Sequence, residues 1–276
     1  MKKAVFVVLT VAVLGIGSRL LAQFTAAEIA DYDKWEDYLK TAKVVAQKQL
    51  TGPLAVTNPW VLTLEKDGVQ HKAVWKNALG DRVKGFKETW KGEIAAYRLN
   101  RALGVNMVPP TVEREFRGDR GSCQLWVDSW NNMEALVKKK LNPPGLKAMY
   151  FARQLCLQRA FDNLNYNVDR HQRNYLIMED WRMVLIDDSR TFSTDKRARS
   201  VLIYDEKNKE NPKFIMETLP RAFVDALRGL TAESVRAIVG EYLTDEEIAA
   251  VTARRDLIIA WLDRRIAQVG EAQVLY

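Results

Sequence analysis

Between Thr25 and Leu50, apolar side chains at Ile29, Trp35, Tyr38, Leu39 and Val44 recur at mixed three- and four-residue steps, which predicts helix. After Thr51-Gly52-Pro53 the chain becomes β-rich. Trp60 to Glu65 alternates, Lys66-Asp67-Gly68 has turn chemistry, and Val69 to Lys76 returns as a second strand. Asn77 to Trp90, with Gly80 and Gly85, reads as a polar loop. A helix is expected from about Gly92 to Leu103, closed by Gly104 as its C-cap. Val108-Pro109-Pro110-Thr111-Val112 starts an extended segment, and Ser122 to Val127 reads as a buried strand. Beyond Asn131 the pattern is mostly helical, broken by one hairpin at about Tyr175 to Ile186. Thr244-Asp-Glu-Glu247 is a capping box, followed on one helix side by Ile248, Val251, Leu257, Ile258 and Trp261. The chain reads as α+β, β-rich up to about residue 130 and helical beyond.

The N-terminus carries a different pattern. Lys2-Lys3 precedes an apolar stretch of 14 residues, Ala4 to Gly17, and Leu20-Leu21-Ala22 ends in a small residue. That is the layout of a signal peptide, residues 1–22, cleaved after Ala22. At 1.5 Å per residue the stretch falls short of a ~30 Å hydrocarbon core, and Arg19 interrupts it. The expectation is export to a periplasm, a secretory lumen or the outside, with no stable membrane insertion after cleavage. Losing Lys2, Lys3 and Arg19 from 42 basic side chains leaves 39 against 35 acidic ones, a net of +4. That mild excess is not the footprint of a nucleic-acid binder.

Composition narrows the chemistry. Two histidines, His71 and His171, and two cysteines, Cys123 and Cys156, leave no Cys/His zinc cluster and almost no room for a histidine-based nucleophile. The cysteines are either a disulfide, which export permits, or two small buried hydrophobes. Any catalysis rests on carboxylates, lysine, asparagine and a hard metal.

Those residues concentrate in Asn167-Val-Asp-Arg-His-Gln-Arg-Asn174, followed by the hairpin that delivers Asp187-Asp188. The outer ends of an antiparallel hairpin lie close together, so Asn174 and Asp187 should meet with Asp169 beside them. Two oxygen ligands plus a free carboxylate suit Mg²⁺ or Mn²⁺ bridging phosphates, with the carboxylate orienting an attacking hydroxyl. The Asp-x-x-x-x-Asn spacing is that of the protein-kinase catalytic loop, and the later Asp takes the place of the metal-binding aspartate. Phosphoryl transfer also needs a cation held by a carboxylate. Lys76 ends a strand and Glu93 opens the next helix 17 residues later. Lys72 is a rival for the lysine, because its even spacing from Lys76 puts both on one strand face.

At Glu93-Ile-Ala-Ala-Tyr-Arg-Leu-Asn-Arg-Ala-Leu-Gly-Val-Asn-Met-Val-Pro-Pro-Thr-Val112, Asn167-Val-Asp-Arg-His171 and Leu185-Ile-Asp-Asp-Ser-Arg-Thr-Phe192, the chain resembles the secretory-pathway atypical kinases. That group includes four-jointed, the Golgi casein kinase and the proteoglycan xylosyl kinase; the motifs are more distantly similar to those of phosphoinositide kinases. The resemblance spans about residues 55 to 195. It implies a two-lobed kinase fold, with residues 23–128 as an N-lobe and 129–276 as a helical C-lobe. It further implies that Lys76 contacts nucleotide phosphates, and that Glu93 pairs with Lys76 or reaches the metal. Asp169 would act as the catalytic carboxylate, Asp187 would bind metal, and His171 would brace the loop. Cys123 to Asp128 falls where a hinge strand would meet adenine, which nominates Trp126 and Val127, while Val74 would cover the base; ordinary core packing is the alternative for both.

Departures accompany the resemblance. The Golgi members usually carry glutamate at the position of Asn174, and Asp188-Ser189 replaces their Asn-Gly. The many-cysteine framework is missing, and Thr51-Gly52-Pro53 is a weak candidate for a phosphate loop. The implied activity is transfer of the ATP γ-phosphate to a hydroxyl of a protein Ser/Thr or a glycan acceptor, with Mg²⁺ or Mn²⁺. A pseudokinase scaffold and AMP transfer on the same fold are the competing readings. Lys138-Lys139-Lys140 reads as a solvated helix end or an attractor of acidic substrate.

Overall fold

The computed structural model describes residues 24–52, 57–82, 86–205 and 215–276; the expected signal peptide lies outside them. Two short helices, α1 (Ala26–Ala30) and α2 (Tyr32–Thr41), open the chain. Thr25 and Glu28 form a capping box that starts α1. The helix expected over Thr25 to Leu50 therefore ends early, and Lys43–Gln49 is strand β1. Its Val44-Val45 pair is β-branched, and β1 pairs along β2 (Trp60–Lys66), so sheet pairing wins over the helical spacing.

Strand β3 (Val69–Lys76) returns from the Lys66-Asp67-Gly68 turn as expected, with Lys66 opposite Val69 and Trp60 opposite Trp75. Residues 77–90 hold a second small hairpin, β4 (Leu79–Arg82) and β5 (Phe86–Thr89), where the sequence predicted loop. The cause is cross-strand pairing, Leu79 opposite Thr89, which polar composition hides. Helix α3 (Trp90–Ala102) starts two residues earlier than Gly92 because the Thr89 hydroxyl caps it, accepting from the Lys91 N–H at 3.1 Å. Strands β6 (Thr111–Phe116) and β7 (Asp119–Leu125) complete an antiparallel sheet of order β1-β2-β3-β7-β6. The buried strand predicted over Ser122 to Val127 is shifted: it begins at Asp119 and leaves the ladder after Leu125.

One apolar cluster lies between this sheet and α2, built from Tyr38, Leu39, Leu62, Leu64, Trp75, Val112, Phe116 and Cys123. The Tyr38 hydroxyl donates to the Leu64 carbonyl at 2.6 Å and accepts from the His71 N–H at 3.0 Å, tying α2 to the β2–β3 hairpin. Arg114 of β6 donates to the carbonyls of Leu39 and Ala42, a cation on the C-terminus of α2.

The rest of the chain is mainly helical, as predicted. In chain order come β8 (Asn131–Asn132), α4 (Met133–Lys139), α5 (Leu146–Asn165), β9 (Tyr175–Ile177), β10 (Met183–Leu185), α6 (Arg221–Arg228), α7 (Ala232–Val239), α8 (Asp245–Val269) and α9 (Glu271–Val274). The Thr244–Glu247 capping box is present. A large second cluster runs from α3 through α5, β9 and β10 to α8. The link between halves is specific. Asn100 Oδ1 accepts from the N–H groups of Met107 and Val108 at 2.8 and 3.0 Å, shaping the loop after α3. Met107 then offers its carbonyl to the Leu185 N–H at 2.8 Å.

Cys123 and Cys156 are separate, buried free thiols, so the small-hydrophobe reading holds and the disulfide does not. Burial pushes the Cys123 thiol up to about 12. At pH 8 a thiol reagent should label neither cysteine of the native protein and both in denaturant, and dithiothreitol should leave the melting temperature unchanged. A reductant-dependent melting temperature would contradict this placement.

Candidate active site

Strand alternation sets one wall of the site. Ala73 and Trp75 enter the sheet core, so Val74 and Lys76 face the other way and line a cleft of about 560 Å³. Lys72 shares that face but is exposed, its Nζ lying 5.8 Å above the Trp126 ring. Lys76 is the lysine that meets both carboxylates. Its Nζ lies 2.5 Å from Glu93 Oε1 and 2.6 Å from Asp187 Oδ1. Glu93, in the first turn of α3, is only 2% exposed, and its second oxygen accepts the Asp188 N–H at 3.0 Å.

The charges follow from burial and pairing. Burial alone would lower the Lys76 pKa, but Asp187 and Glu93 together raise it above the ordinary lysine range. Burial raises Glu93 above the usual carboxylate value even with Lys76 beside it. Burial would raise Asp187 too, but there the Lys76 ammonium wins and holds it low.

The hairpin does what its spacing predicted. Leu185 pairs with Tyr175, and the Ile186 N–H donates to the Asn174 carbonyl at 3.1 Å, so Asn174 and Asp187 both reach the cleft at its open end. Asn174 is buried and its Nδ2 has no partner, so an unsatisfied amide sits in the cleft wall. Asp187 has φ +67°, a left-handed conformation that aspartate tolerates better than most residues. Asp169 also lines the cleft, its N–H donating to Asn167 Oδ1 at 3.1 Å and its Oδ2 accepting from Arg190 Nη1 at 3.0 Å.

The bracing role falls to Arg170, not His171, whose side chain is exposed. The Arg170 side chain is fully buried. It donates to both Asp162 oxygens at 3.0 Å, to Asp188 Oδ1 at 2.5 Å and to the Ile186 carbonyl at 2.5 Å. Asn167 Nδ2 also donates to Asp188 Oδ1, at 2.9 Å. Sequence reasoning missed Arg170, Asp162, Asp188 and Arg190 as members of the site. The available signals were a charged Asp162 inside Ala-Phe-Asp-Asn-Leu164 and the doubled Asp187-Asp188.

At the hinge the placement differs in detail from expectation. The Trp126 N–H is already spent on the Lys72 carbonyl at 3.1 Å, and its indole N–H goes to Asp128 at 2.9 Å. The ladder ends at Leu125, so Val127 is left outside it. Both residues line the cleft. Leu50, Thr57 and Pro59 cover it from the β1–β2 connection, while Pro53 of the candidate phosphate loop lies outside the described residues. Lys138 and Lys139 make surface contacts with Glu134 and Asn131, the solvated helix end.

No family model and no curated sequence matches the chain. Solved structures do. Hydra Fam20 with sugar matches at TM-score 0.66 and 15% identity, covering 93% of this chain and 95% of that one. The Golgi casein kinase with Mn and ADP bound gives 0.64 at 16% identity, covering 93% and 80%. What is shared at this identity is the fold: a two-lobed, kinase-like architecture with a β-rich and a helical lobe.

Lys76→Met should leave Glu93 buried beside Asp187 with no cation. Losing one partner of a buried pair costs ~3–5 kcal/mol; Asp187, whose side chain is 35% exposed, adds little. Without the ammonium, burial holds the Glu93 carboxyl higher folded than unfolded, so the variant should lose stability as pH rises above about 4.5. Urea unfolding at pH 5 and pH 8 reads this directly: the deficit against wild type should be larger at pH 8.

Proposed function

We propose that the chain is an exported, metal-dependent phosphotransferase that moves the γ-phosphate of ATP to a hydroxyl of a protein Ser/Thr or a sugar. Residues 23–128 would form the nucleotide lobe and 129–276 the helical lobe. The observation that carries the reading is one ammonium, Lys76, within 2.6 Å of both Glu93 and Asp187, in the cleft that also holds Asp169 and Asn174. The fold neighbours support it: the Golgi casein kinase has been solved with Mn and ADP, and hydra Fam20 with sugar.

Bound ATP would supply the phosphoryl group and Mg²⁺ or Mn²⁺ would neutralise its charge. Asp187 and the Asn174 side-chain oxygen are the two ligands this chain would contribute, the remaining positions falling to phosphate and water. The unsatisfied Asn174 amide fits a role toward a polar group in the cleft. Lys76 would hold nucleotide phosphates, kept in place by Glu93. Val74 and the Trp126-Val127 stretch would form the base pocket, with Val127 presenting backbone groups. Asp169 would orient the acceptor hydroxyl and take its proton.

Thermal unfolding with ATP, with and without Mn²⁺ or Mg²⁺, tests this. A ligand at ~100 times its Kd adds about 2.7 kcal/mol, several degrees in melting temperature for a chain this size. Asp187→Ala should abolish the metal-dependent component of that shift. Asp169→Ala should keep the shift and lose turnover by roughly 10²–10⁴-fold. Absence of any nucleotide-dependent shift in wild type would end the proposal.

A further inference from the structure

Arg190 has no role in the reading above, yet it touches the group that reading makes essential. It lies three residues past Asp187 on the cleft wall, its side chain 27% exposed. Nη1 donates to Asp169 Oδ2 at 3.0 Å and Nε lies 3.7 Å from Glu88 Oε1. The backbone beneath it is fixed. Thr191 Oγ1 donates to the Asp188 carbonyl at 2.7 Å, the Phe192 N–H to Asn165 at 2.7 Å, and Ser189 offers its carbonyl to the Thr89 N–H at 2.9 Å. The guanidinium therefore sits on a fixed backbone, with Nη1 on Asp169 and Nε buried without a hydrogen-bond partner. The nearby cations differ: Lys76 is held between Glu93 and Asp187, and Arg170 is wholly buried between Asp162 and Asp188.

A carboxylate that orients and deprotonates a hydroxyl does so best with both oxygens clear of a charged donor, and Asp169 Oδ2 is occupied. A guanidinium that releases a carboxylate inside a cleft requires another anion within hydrogen-bond reach, or its desolvation is left uncompensated, and Glu88 at 3.7 Å lies beyond that reach. We propose that the terminal phosphate of a bound nucleoside triphosphate is that second anion. Arg190 exchanges Asp169 for the γ-phosphate, whose tetrahedral oxygens suit its planar fork. Triphosphate loading then frees Asp169 for the acceptor at the moment the donor is in place, whereas a diphosphate leaves the Arg190–Asp169 pair closed. This inference rests on the phosphotransferase reading and assigns Arg190 as the residue that couples its two substrates.

The test is calorimetric titration of the full protein with Mn²⁺ and either ADP or a non-hydrolysable ATP analogue. Wild type should prefer the triphosphate. Arg190→Gln should lose about tenfold in affinity for the analogue while its ADP affinity stays within about twofold. Asp169→Asn removes the competing carboxylate and should tighten the analogue, not ADP; a purely structural Arg190–Asp169 pair would not give that result. The second variant also carries the test if Arg190→Gln fails to fold. An unchanged triphosphate preference in both variants, with ADP binding intact, overturns the arginine exchange alone. Failure of wild type to bind either nucleotide overturns the phosphotransferase reading and this inference with it.

Discussion

A guanidinium buried away from water has to be answered on every side, and the answer given to Arg170 organises the centre of this protein. Asp162 comes from the end of α5, Asp188 from the turn after β10, and the Ile186 carbonyl from the strand end itself. One planar fork thus fixes the helix exit, the loop bearing Asp169 and the segment bearing Asp187 as a single unit. Arg254 closes the same unit from behind, donating to the carbonyls of Leu164 at 2.6 Å and Ser193 at 3.0 Å. Because Asp188 is consumed by Arg170 and Asn167, the adjacent Asp187 is the one turned outward, and its left-handed backbone makes that division of labour possible.

The β-rich side is registered against this unit by contacts at the start of α3. Thr89 ends a strand, caps the helix and donates its N–H to the Ser189 carbonyl. Gly92 lies so close to the opposite segment that a Cβ there would come within 2.9 Å of Thr191 Oγ1 and 3.0 Å of the Asp188 carbonyl. Only a residue with no side chain admits that approach, which is what lets Glu93 reach Lys76 and the Asp188 N–H together. The charges at the site are a consequence of how backbone surfaces fit.

Much of this was legible in the sequence, and the rest was hidden for identifiable reasons. The β2–β3 hairpin announced itself through alternation and a turn, and α8 through a capping box, because both signals are local. Asn174 and Asp187 could be placed together because hairpin geometry converts spacing into distance. The β4–β5 hairpin and strand β1 were not legible, since their pairing is decided by partners rather than by their own pattern. Lys72 and Lys76 could not be separated by parity, since what distinguishes them is the reach of a helix carboxylate. Arg170 could not be singled out because its three acceptors come from positions scattered over 27 residues.

The tight seat of Gly92 has a further consequence. Swinging the helix that carries Glu93 outward would separate its carboxylate from Lys76. Here the helix is wedged at its first turn against the segment that holds Asp187 and Asp188, and its glutamate is bonded to both sides at once. A swing would pull packed backbones away from each other and strand a buried carboxylate, so the helix is held where it is. The Lys76–Glu93 contact is therefore held by the fit of two backbones as much as by the charges themselves.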